Sequence, residues 1–143
     1  MWPTFFRNSS LPALEQTIQF AERRHQLLAG NVANADTPGY QTRDLSVENF
    51  QSALKDAMKA SRVQEKTTPG KAHASYEGIS KAQAAENVRE SMKQILYHDG
   101  SDVGLETQVT EIAKNQSMHT TAISILRNQY HMMQMAISES VNV

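Results

Sequence analysis

The segment LETQVTEIAKNQSMHTTAISILRNQYHMMQMAI, Leu105 to Ile137, carries Leu105, Val109, Ile112, Gln116, His119, Ile123, Leu126, Tyr130, Met133 and Ile137 at alternating steps of four and three. That is the heptad rhythm of a helix seam, in which each side chain on the row meets the same face of a partner. Ala113, Ala122, Ile125, Met132 and Ala136 flank the row, so the apolar stripe is wider than one partner helix covers. A long C-terminal helix with a second packing face follows.

A matching rhythm stands at the other end of the chain, where Leu11, Leu14, Ile18, Ala21, His25, Leu28 and Val32 step by three and four. Ser10 supplies a capping side chain, Pro12 falls in the first turn where its missing N–H is not needed, and Glu15 lies near the positive end of the helix dipole. The helix must stop before Asn34, because Pro38 drives Thr37 out of the helical region and Gly39 suits the positive φ of a type II turn. The spacing therefore predicts a helix over 11–34 and a turn over 35–40, then a variable middle over 41–98 and a C-terminal helical region over 99–143. The fold class is mainly α, a single subunit whose terminal helices pair as an antiparallel coiled coil.

Between them, Val47, Phe50, Leu54 and Met58 predict a short amphipathic helix over Val47–Met58. From Ala60 to Gly78 the chain is polar and small, with Thr67-Thr68-Pro69-Gly70 at its centre. Such a stretch buries too little to offset its ordering entropy and reads as a partly disordered linker. Ser80 to Leu96, with Ala82, Ala85, Val88, Met92 and Ile95 at helical intervals, predicts another helix that ends at the Asp99-Gly100 turn.

Composition narrows the functions. Fourteen basic and fifteen acidic side chains leave a formal charge of -1, and no basic stripe is present to neutralise phosphates, so nucleic acid is excluded as a partner. No cysteine is present, and no histidine stands in the His-Glu-x-x-His spacing of zinc hydrolases, so neither a metal nor another cofactor is expected. Asp36, Asp44 and Glu48 cluster without a nucleophile or oxyanion donors, which reads as a solvated turn rather than acid–base machinery acting on a small-molecule substrate. Hydrophobic residues are only 39% of the chain, below the usual share of roughly 45–50%. An assembling helical protein fits these properties better than an enzyme does. The first ten residues lack the apolar core of a secretory signal, and no stretch approaches a membrane span.

Two motifs then point to a family. Leu28-Ala29-Gly30-Asn31-Val32-Ala33-Asn34-Ala35-Asp36-Thr37-Pro38-Gly39-Tyr40 resembles the signature of bacterial flagellar basal-body rod proteins, a helix ending in paired asparagines and a Thr-Pro-Gly-aromatic turn. Asp99 to Glu106 running into Ala113-Lys114-Asn115-Gln116 resembles the approach to the last helix in the proximal-rod type of subunit. Gly30 and Gly104 depart from the asparagine and aspartate usual there. The resemblance implies the turn residues Asn31, Asn34, Asp36, Thr37, Pro38, Gly39 and Tyr40 as the family motif. It implies export through the flagellar type III apparatus without a cleaved signal, then self-association in a periplasmic rod beside other rod subunits and the membrane-ring and rod-adaptor proteins. Phe50 and Leu54 resemble a short apolar motif read by the export gate, although the same spacing arises on any amphipathic helix. A neighbouring rod subunit and a helical export chaperone or adaptor stand as the alternative readings.

Overall fold

In a computed structural model the chain is mainly helical, with residues 10–66, 81–93, 95–96 and 104–141 described. The elements run α1 (Leu11–Ala33), β1 (Arg43–Asp44), α2 (Val47–Lys66), α3 (Lys81–Ser91), β2 (Ile95–Leu96) and α4 (Leu105–Val141). They divide into two compact units, one holding α1 and α4 and the other holding β1, α2, α3 and β2. No helix among the described residues is long and apolar enough to cross a membrane.

The first unit is built on the two ends of the chain. α1 starts at Leu11 with its proline in the first turn and ends at Ala33, as the Thr-Pro-Gly stop predicts. Ser10 does not cap with its side chain. Its backbone carbonyl accepts from the Leu14 N–H at 3.0 Å, while the hydroxyl is hydrogen-bonded by Gln129 of α4. α4 begins after Gly104, whose carbonyl accepts from the N–H groups of Thr107 and Gln108 at 2.8 and 3.2 Å. Side-chain contacts connect Asn31 to Gln108, Arg24 to Glu111, Ala21 to Asn115 and Ser10 to Gln129. Positions descend along α1 as they ascend along α4.

The second unit begins where Ser46 caps α2, its hydroxyl accepting from the Asn49 N–H at 3.2 Å. The cap and the acidic Glu48 beside it satisfy and complement the positive end of the helix. α2 and α3 meet in a small core whose buried apolar residues are Leu45, Phe50, Ala84, Val88 and Met92. α2 runs eight residues beyond the predicted end at Met58, because lysine, glutamine, glutamate and arginine after Ala60 are all good helix formers. The rest of the predicted linker, 67–78, lies outside the described residues.

The predicted helix over Ser80 to Leu96 is shorter than its periodicity implies. α3 ends at Ser91, whose hydroxyl donates to the Val88 carbonyl at 2.7 Å. Met92 and Lys93 then make tight bonds back to Arg89 and Glu90 at 3.2 and 3.0 Å, the three-residue spacing that winds up a helix end. Ile95 and Leu96 instead pair antiparallel with Arg43 and Asp44, in the register Arg43 to Leu96 and Asp44 to Ile95. A two-residue strand pair depends on a distant partner, and no local pattern announces it.

Candidate assembly surface

The helix exit is held by its own residues. The Asn34 N–H donates to the Gly30 carbonyl at 3.1 Å and its side-chain amide donates to the same oxygen at 2.8 Å. Thr37 N–H closes on the Asn34 carbonyl at 2.9 Å, and Tyr40 N–H closes on the Thr37 carbonyl at 3.1 Å. Pro38 and Gly39 are the two inner residues of that last turn, and Gly39 has φ of 77°. Positive φ at the third turn position is what a type II turn requires.

The first asparagine of the motif links this turn to the last helix. The Tyr40 hydroxyl donates to Asn31 Oδ1 at 3.2 Å, and Asn31 Nδ2 donates to Gln108 Oε1 at 3.1 Å. Asn31 is buried, so both faces of its amide are matched where an unpaired one would be costly. A Cβ on Gly30 would sit 3.9 Å from the Tyr40 hydroxyl, an ordinary contact. Asp36, Thr37, Pro38 and Gly39 lie exposed on the turn surface.

Gly39→Val is therefore expected to destabilise the helix exit through backbone conformation alone, because nothing lies within 4 Å of the added Cβ. The penalty is about 1–3 kcal/mol, larger for valine than for alanine and smallest for asparagine. Urea unfolding of the three variants checks that order, and equal stability across them would remove the turn's conformational requirement.

Below the turn, Arg24 reaches across to α4. Its Nη2 donates to Glu111 Oε2 at 2.9 Å, and Lys114 donates to the other Glu111 oxygen at 2.7 Å. The Arg24 side chain is only 7% exposed, so the carboxylate replaces water that the guanidinium has lost. The hydrogen bonds from Lys114 and then Arg24 hold the Glu111 carboxyl below its ordinary pKa of 4.5, against the opposing effect of burial. A depressed native pKa adds stability above the unfolded value, and that stability disappears as pH falls through the native one. The stability of the chain is thus expected to drop on acidification below the ordinary glutamate range, and Glu111→Gln is expected to flatten that part of the profile. Thermal melts from neutral to acid pH check it, and parallel profiles for both proteins would contradict it.

The predicted seam residues distribute unevenly. Leu11, Ala21 and Leu28 are buried, Leu14, Ile18 and Val32 are half-buried, and His25 is exposed. On α4, Ile112, Ile123, Leu126 and Met133 are half-buried, but Leu105, Val109, Tyr130 and Ile137 are exposed, Val109 by 53%. The buried positions among the described side chains of α4 are Gln108, Asn115 and Ala122, one residue before the predicted row. The reason is the polar set on α1: Asn31, Arg24 and the Ala21 carbonyl all bond to that earlier row or the turn beside it. A rotation of α4 onto its apolar stripe would leave them unmatched. His119, half-buried, has Nε2 3.9 Å from Glu22 Oε1.

An exposed apolar ridge results. Val109, Tyr130 and Ile137 lie on one seven-residue row of α4 and face solvent, and Ile125, Met132 and Met135 are exposed on other faces of the same helix. Phe50, on α2, is 2% exposed, and Leu54 is half-buried. No group of three or more His, Asp or Glu side chains among the described residues is placed to hold a metal.

Comparison with known proteins decides the family. The flagellar basal body rod protein FlgB of Escherichia coli K12 is 30% identical to this chain over 126 residues, covering 85% of the chain and 88% of the relative. The chain belongs to the FlgB family. The FlgB of Salmonella typhimurium LT2 is 28% identical over 129 residues, with the same coverage of 85% and 88%. That of Yersinia ruckeri is 27% identical over 122 residues, covering 80% and 83%. No family model matches the chain, and no solved structure matches it. As a FlgB-type subunit it is a structural component of the flagellar basal body rod rather than a neighbouring rod subunit or an export chaperone.

Proposed function

We propose that this FlgB-family chain builds the proximal rod by helical self-association, with α1 and α4 forming an antiparallel coiled coil within each subunit. The apolar ridge of α4 is then the surface that neighbouring subunits cover. The observation that carries this reading is the exposure of Val109, Tyr130, Met132 and Met135 on a helix whose inner row is polar. Methionine suits such a surface, because its flexible thioether adapts to non-equivalent neighbours in a helical stack.

The same reading makes other rod subunits and the membrane-ring and rod-adaptor proteins the partners, and the periplasmic part of the basal body the place of work. Type III export delivers the subunit there. α4, at 37 residues, is about 55 Å long, and α1, at 23 residues, about 35 Å. Ser10 already lies opposite Gln129, so the last turns of α4 continue beyond α1 and are the part most dependent on neighbours. A density map of isolated basal bodies carrying this chain tests the proposal. The paired helices should lie along the rod with the α4 ridge against adjacent subunits, and a map with that ridge facing solvent would reject it.

A further inference from the structure

Two largely polar rows run along the helix pair at strict seven-residue spacing. On α1 the row is Ser10, Thr17, Arg24 and Asn31, and on α4 it is Gln108, Asn115, Ala122 and Gln129. The outer layers are joined directly, Asn31 to Gln108 and Ser10 to Gln129. Between them Asn115 donates to the Ala21 carbonyl at 2.8 Å, and Arg24 meets Glu111 in the turn beside it. Stability alone does not account for this choice of residues. Buried ion pairs and amides commonly hold a protein less tightly than apolar side chains of the same size, and Asn115 Oδ1 accepts no hydrogen bond among the described residues. A more apolar row, Val109, Gln116, Ile123 and Tyr130, was available one position along the same helix.

We propose that the polar rows are a register and rotation code, with Arg24 and Glu111 as its decisive pair, that fixes which face of α4 meets α1 and so reserves the apolar ridge for other contacts. The positions of α4 that lie a whole number of heptads from Glu111 are Met118, Ile125, Met132 and Glu139, with Gly104 just before its start. A slip of α4 by one heptad in either direction sets Arg24 against Gly104 or Met118, neither of which carries a carboxylate. A roll onto the apolar ridge likewise strands Arg24, Asn31 and the Ala21 carbonyl. Polar residues at seam positions act in this way in coiled coils generally, giving up stability for a single register. The inference rests on the helix pairing of the preceding section.

The test uses the full chain, which has no native cysteine, so that introduced pairs report cleanly. The in-register reporter is Glu22→Cys with His119→Cys, placed where the two native side chains approach within 3.9 Å. The slipped reporters are Glu22→Cys with Ile112→Cys and Glu22→Cys with Leu126→Cys, each one heptad away. With a short bis-thiol linker the in-register pair should close at least about tenfold faster than either slipped pair, the discrimination that one charged hydrogen bond supplies. Arg24→Glu should bring that ratio toward one. The reversal Arg24→Glu/Glu111→Arg/Lys114→Glu should restore it, even if Arg24→Glu alone folds poorly. A ratio unchanged by Arg24→Glu, or one that the reversal does not restore, overturns the code while leaving the pairing intact. Failure of the unmodified background to close the in-register pair overturns the pairing and the code together.

Discussion

Val109→Glu/Met132→Glu/Met135→Glu is expected to abolish incorporation into the rod while the isolated chain stays folded. All three side chains are exposed, Met132 by 57% and Met135 by 50%, so substitution removes little packing, and glutamate is a good helix former. Each change should move the stability of the free chain by less than about 0.5 kcal/mol. In an assembled rod the same carboxylates would be buried without partners, and each desolvated charge costs several kcal/mol after relaxation, roughly. Three such losses per subunit exceed what a standard protein interface tolerates, since each 1.4 kcal/mol is about a factor of ten in affinity. Cells lacking the native gene and carrying the triple variant should therefore fail to swim. Motility at the parental level, with the variant present in purified basal bodies, would show that neighbours do not cover these side chains.

Phe50→Ala carries the largest expected effect on stability. Phe50 is among the largest fully buried side chains of the molecule and sits in the small core of the α2–α3 unit. Removing its ring costs about 3–5 kcal/mol through lost transfer energy and the cavity left behind. That is a large part of the stability of a typical domain, which is about 5–15 kcal/mol. Phe50→Met, which keeps much of the volume, should lose less than about 1.5 kcal/mol. Urea unfolding measures both. A secretion assay then separates the core role from recognition by the export gate, with Met92→Ala as a second change to the same core. If the gate reads Phe50 and Leu54, secretion falls with Phe50→Ala and holds with Met92→Ala; equal behaviour of the two assigns Phe50 to the core alone.

What could be read from the chain without its structure follows from local chemistry. The start of α1 and its end before Asn34 are set by Pro12 and by the Thr37-Pro38-Gly39 stop, and residues within a few positions decide them. Gly39 at positive φ is the same kind of result, since only its own missing Cβ makes that conformation cheap. The mainly helical class also follows, because periodicity and propensity over long segments agree. The family motif was legible as a pattern, but the task of Asn31 within it was not: its partners are Tyr40 and Gln108, and the second lies across the fold.

Tertiary structure decided everything that depends on which surfaces meet. A heptad pattern scores apolar residues, so it placed the α4 seam on Leu105, Val109 and Tyr130. The contact with α1 instead uses Gln108, Asn115 and Gln129. The rotation of a helix is set by the groups that must be satisfied on its partner, here Arg24, Asn31 and a backbone carbonyl, and a single segment holds no record of them. The Ile95–Leu96 strand was hidden for the same reason, since its hydrogen bonds go to Arg43 and Asp44. The amino-acid sequence determined where helices start and stop through interactions a few residues long; the partners of each helix face came from contacts some 80–120 residues apart, which only the folded chain brings together.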